Sequence, residues 1–136
     1  MRRYIKVLAA VSILLLLVLV FSTVAVAKEK SPFVGAWEGI DVHDGSHQIM
    51  QIRGGGDGQY MVVIQDSACI GCDEVSQPPC KAIGQGTISG GVLTADLTVY
   101  AMGCPSCPCH GANPTIEFTY ASGEITDSTG NTWAPV

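Results

Sequence analysis

Positive charge is scarce in this chain. Of its seven Lys and Arg, Arg2, Arg3 and Lys6 precede the first apolar run, which leaves Lys28, Lys30, Arg53 and Lys81 against twelve Asp and Glu. Residues 28–136 thus carry a net charge of −8. Binding to a phosphate backbone depends on Lys and Arg that neutralise phosphates, so nucleic acid is not an expected partner. Also missing after residue 28 is any amphipathic 3.6-residue stripe of ten or more positions, which argues against helical and α/β architectures. Finally, no cysteine directly follows the first apolar run, so a lipid-bearing N-terminal cysteine is not indicated.

What is present begins with a basic start, an apolar stretch centred on Ile13 to Phe21, and the small-residue site Ala25-Val26-Ala27. This order defines a signal peptide over residues 1–27, with cleavage expected after Ala27. The rival is an uncleaved anchor, because Val7 to Ala27 approaches the roughly 20 residues needed to span a bilayer; the membrane would then be met through this segment alone. Either way the expected location is secreted or cell envelope. Residues 28–32 read as a short charged leader and residues 33–136 as one domain, since about a hundred residues leave no room for a second core. Six cysteines in an exported chain read as disulfides, each contributing about 2–4 kcal/mol.

The domain reads as all-β. Phe33 to Val42 mixes aromatic, β-branched and glycine residues and makes a first strand; Asp44-Gly45 is a turn pair, and Gln48, Met50 and Ile52 mark a second strand. After the glycine run 54–58, Tyr60 to Gln65 gives a third strand, and a fourth runs from Ala82 to Ser89. Gly90-Gly91 leads into a period-two segment in which Leu93, Ala95, Leu97, Val99 and Ala101 alternate with more polar neighbours. Ile116, Phe118 and Tyr120 repeat that pattern, and short strands near Ile125 and Trp133 follow. Eight strands with mostly tight turns predict an antiparallel up-and-down meander closed into a small barrel, with a two-sheet sandwich as the alternative.

Alternate connections of such a meander fall at the same end. The turn bearing His43 and His47, the loop bearing Cys69, Cys72 and Cys80, and the loop bearing Cys104, Cys107, Cys109 and His110 are therefore expected together. The glycine turns should occupy the other end. This makes the cysteine end the candidate binding end, with His43, His47, His110 and Trp37 as its candidate residues; Trp37 and Trp133, on the first and last strands, are expected at the closing seam.

Cys69-x-x-Cys72 and Cys104-x-x-Cys107 have the paired spacing of zinc knuckles. A metal set of Cys69, Cys72, Cys104, Cys107 and His110, for zinc or copper, is the alternative to disulfides. Six cysteines allow 15 pairings. Cys107 and Cys109 flank only Pro108 and should not bond each other, so cross-loop bridges with one local bridge are the natural expectation. Cys104-Pro-Ser-Cys107 lacks the βα context of a redox motif, and Cys107-Pro108-Cys109-His110 misses the haem-attachment spacing. His43, Asp44, Ser46 and His47 share one turn and point in different directions, so no catalytic triad is assigned and no enzyme is expected.

Gly35-Ala36-Trp37, at the start of a first strand of eight, resembles the Gly-x-Trp signature that opens lipocalins and related calycin-type barrels. The resemblance covers three residues and the strand count, and the chain shows no C-terminal helix pattern. It implies a barrel with a ligand cup at its open end. The expected function is an exported, disulfide-stabilised binding or interaction module for an unidentified small molecule or surface partner, with no cofactor. A metal-binding protein and a structural envelope component are the alternatives.

Overall fold

A computed structural model describes residues 30–55, 57–69 and 77–136. The signal peptide and the first two residues of the leader lie outside these residues, as does Cys72. Residues Ser31–Val136 form one compact unit.

Eight strands follow one another: β1 (Gly35–Ile40), β2 (His47–Gly54), β3 (Gln59–Asp66), β4 (Cys80–Ser89), β5 (Val92–Ala101), β6 (Thr115–Ala121), β7 (Glu124–Asp127) and β8 (Thr132–Pro135). Each pairs antiparallel with the next, and β1 pairs with β8 through Trp37 opposite Pro135 and Gly39 opposite Trp133. The result is a closed barrel, not a sandwich. Among the described residues there is no helix.

The period-two pattern sets the inside and outside of the wall. Met50 and Ile52 on β2, Val62 and Ile64 on β3, Leu93, Ala95 and Leu97 on β5, Phe118 on β6 and Ile125 on β7 all point inward and are buried. Closing so few strands requires sharp coiling, which glycine permits. On β4, a Cβ at Gly84 would collide with the Asp96 carbonyl oxygen, and one at Gly86 would lie 2.7 Å from the Thr94 carbonyl oxygen. The two strands touch there because neither residue has a side chain. Gly90-Gly91, both at positive φ (59° and 84°), form the two-residue turn that matches strand twist.

The first strand is shorter than its sequence suggests. Phe33 lies in a turn, with the Val34 N–H donating to the Ser31 carbonyl at 3.0 Å, and its ring plugs the barrel's lower end. Trp37 donates its indole N–H to the Phe33 carbonyl at 2.9 Å, and Tyr120 meets both rings edge-on at 6.2 Å. Trp37 therefore belongs to the glycine-turn end. Trp133 is buried nearer the other end, its ring lying 3.2 Å from where a Cβ on Gly39 would be.

Candidate functional site

The connections β1–β2, β3–β4, β5–β6 and β7–β8 share one end of the barrel, opposite the Phe33 plug. There the interior is not filled. A cavity of about 450 Å³ opens above Trp133 and Ile64, within the range of small-molecule sites.

Its two sides differ in chemistry. The β4–β6 side is apolar, made by the Cys69–Cys80 disulfide, Ala82, Val99, Pro114 and Ile116. The side made by β1–β3, β7 and β8 is polar, with Asp41, Gln48, Asp66, Asp127, Thr129 and Asn131. Gln48, buried on β2, organises it: its amide NH₂ donates to Asp41 Oδ2 at 3.0 Å and to Asp66 Oδ2 at 2.8 Å. Its carbonyl accepts from the Asn131 amide at 3.3 Å. Asn131 in turn accepts the Val42 N–H at 3.0 Å, tying the last turn across the seam to β1. Asp127 takes four bonds, from the Thr129 N–H and hydroxyl, the Asn131 N–H and the Trp133 indole N–H at 2.9 Å. Such a network is worth having in a low-dielectric interior only if its members are satisfied; here each of these groups has a partner.

The cysteine loops build the outer part of the cup. Cys69 bonds Cys80 and Cys104 bonds Cys107, with Cα separations of 5.7 and 5.4 Å; Cys109 is disulfide-bonded too. Two local bridges replace the single one expected from sequence. The reason is local geometry: Pro78-Pro79 turns the chain so that the Cys69 N–H reaches the Pro78 carbonyl at 2.9 Å, which sets the two sulfurs side by side. Successive turns bring the Cys107 N–H to the Cys104 carbonyl at 3.1 Å and close the second bridge. The loops still meet, because the Met102 N–H donates to the Pro79 carbonyl at 2.8 Å and Cys69, Cys80, Ala101 and Cys107 bury together as a small second core. The sulfurs of Cys69, Cys104 and Cys107 are thus engaged with sulfur, and among the described residues no three potential ligands gather for a metal.

The four candidate binding residues part company. His43 lines the cup. His47 is about half-exposed on the outer surface, 3.7 Å from Glu38. His110 faces away along the second loop, its Nδ1 accepting the Ala101 N–H at 3.1 Å and its ring edge-on to Tyr100. Trp37 lies at the opposite end. The Ser46 hydroxyl donates to Asp66 at 2.6 Å, so the turn assembles no serine–histidine pair.

Besides His43, Cys69 and Cys80, the cup is defined by polar residues that carry no sequence motif, yet a signal for them exists. Gln48 stands two before Met50, Asp66 two after Ile64, Asp127 two after Ile125 and Asn131 two before Trp133. In β2, β3 and β7, and in the residue just before β8, the inward set changes from apolar to polar at the same end. A polar residue that continues the period of a buried face lines a barrel mouth.

No family model and no curated protein matches the chain. Among solved structures it is similar to a redesigned β-barrel, mFAP1, bound to DFHBI, with 18% identity over 75% of this chain and 90% of that one and a TM-score of 0.46. The assignment as a small closed β-barrel stabilised by disulfides comes from the strand pairing and the bonds themselves.

Proposed function

We propose that this barrel is an exported, non-enzymatic binding module that holds a small molecule in the cup at its cysteine end. The observation that carries the reading is the half-filled interior. Small barrels of eight strands have room either for packed side chains or for one small ligand, and this one packs its lower half while leaving a walled cavity above. A purely structural envelope component has no need of a cup bounded by a satisfied polar network. The lipocalin-like signature Gly35-Ala36-Trp37 is consistent with a cup, and disulfides in this number suit the oxidising compartments outside the cytosol.

The test is titration of the oxidised protein with the neutral dye N-phenyl-1-naphthylamine, read by dye fluorescence. Saturable binding with one site per chain is expected. Filling the cup with Ala82→Trp should abolish it while the far-UV circular dichroism is retained. Absence of binding, or binding indifferent to a retained-fold Ala82→Trp variant, would overturn the proposal.

A further inference from the structure

We infer that the cup is built for a cationic amphiphile: a compact apolar body bearing a protonated amine, with the ammonium seated between Asp41 and Asp66. This rests on the binding role proposed above and adds the class and orientation of the ligand.

The cavity supplies the site; its unbalanced charge supplies the class. Among the described residues three carboxylates, Asp41, Asp66 and Asp127, line it; no Lys or Arg does, and the one basic side chain present is the imidazole of His43. Among the described residues, every hydrogen bond they receive comes from a neutral donor: backbone N–H groups, the Ser46 and Thr129 hydroxyls, the Gln48 amide and the Trp133 indole. These donors orient the carboxylates without cancelling their charge. The ion pair found among the described residues, His47 with Glu38, is on the outside of the barrel. A concave site lined by one sign of charge with low-dielectric walls concentrates ions of the other sign.

Acceptor capacity then places the head group. A carboxylate offers about four acceptor sites. Asp127 already receives four donors, three on Oδ1 and the Trp133 indole on Oδ2, and serves the fold. From the described residues Asp41 receives two donors, the His43 N–H and one Gln48 hydrogen, and Asp66 receives three. Gln48 Nε2 donates to both Asp41 Oδ2 and Asp66 Oδ2, which brings these two oxygens to one place in the cup lining. An ammonium carries three donors and no acceptor, which suits that position. Opposite it, the disulfide, Ala82, Val99 and Ile116 offer a surface with no polar side chain, fitted to an apolar body.

The experiment compares three probes of one shape in the oxidised protein by calorimetry and Trp fluorescence: 1-naphthylmethylamine, 1-naphthylmethanol and 1-naphthoate. The amine is expected to bind about tenfold or more tightly than the alcohol, with the carboxylate weakest, and the amine-to-alcohol ratio should fall as NaCl is raised. Asp41→Asn and Asp66→Asn should each bring the ratio towards one. The salt series needs no variant and so is independent of folding. If alcohol and amine bind equally, or the naphthoate binds best, the inference is overturned while the binding role stands. If none of the three binds while N-phenyl-1-naphthylamine still saturates one site, the inference alone falls; if that dye does not bind either, both fall.

Discussion

The two halves of the barrel are made of the same eight strands and solve different problems. Below, towards the glycine turns, inward positions are Phe, Trp, Leu, Ile, Val and Met, the centre is packed, and Phe33 closes the end. Above, the inward rows of β2, β3 and β7 turn to Gln and Asp while Val99 and Ile116 keep the facing wall apolar, and a hydrogen-bond network and disulfides add to a small second core. The lower half secures the fold without disulfides; the upper half gives up packing for a cavity and is braced at its rim.

That division can be broken in stages. The largest effect belongs to the lower half. Phe118→Ala empties the centre of the core, where Phe118 is fully buried, and should cost about 3–5 kcal/mol in urea unfolding; a loss below 1 kcal/mol would mean that this half is not the stable one. Next is the rim. Replacing Cys69 and Cys80 together by Ser should cost about 2–4 kcal/mol. The same exchange at Cys104 and Cys107 should cost less, because that bond spans a separation of 3 residues against 11 and constrains the unfolded chain less. The reverse order would assign the bracing to the second loop.

The smallest of the three expected effects concerns the polar network. Gln48→Leu leaves Asp41 Oδ2, Asp66 Oδ2 and the Asn131 amide each short of a partner and should cost about 1–3 kcal/mol. It should also speed amide hydrogen exchange at Val42, whose N–H is held by Asn131, before any change at Leu93 or Leu97. Equal acceleration in both halves would show that they open as one unit.

Much of the architecture was legible because it follows from a local rule. The alternation of Leu93 to Ala101, the turn pairs Asp44-Gly45 and Gly90-Gly91 and the missing helical stripes lead to a meander, and a meander's even–odd geometry brings the cysteine loops to one end. The candidate site was read less well. A histidine's chemistry does not say which way its side chain faces, which depends on strand parity: His47 falls on the outward row of β2, next to inward Gln48. Trp37 was placed by strand and not by height; it sits near the start of β1, which is the plugged end.

Order along the chain, inward or outward parity and the end at which each loop emerges are properties of neighbouring residues, and those the amino-acid sequence carries alone. Barrel closure, the pairing of cysteines and the cup depend on how distant segments meet. Gly84 has to lie against Asp96 for the wall to curve, and Pro78-Pro79 has to turn for Cys69 to find Cys80. Asp41, Gln48, Asp66 and Asn131 become one polar wall only after β1 has closed on β8.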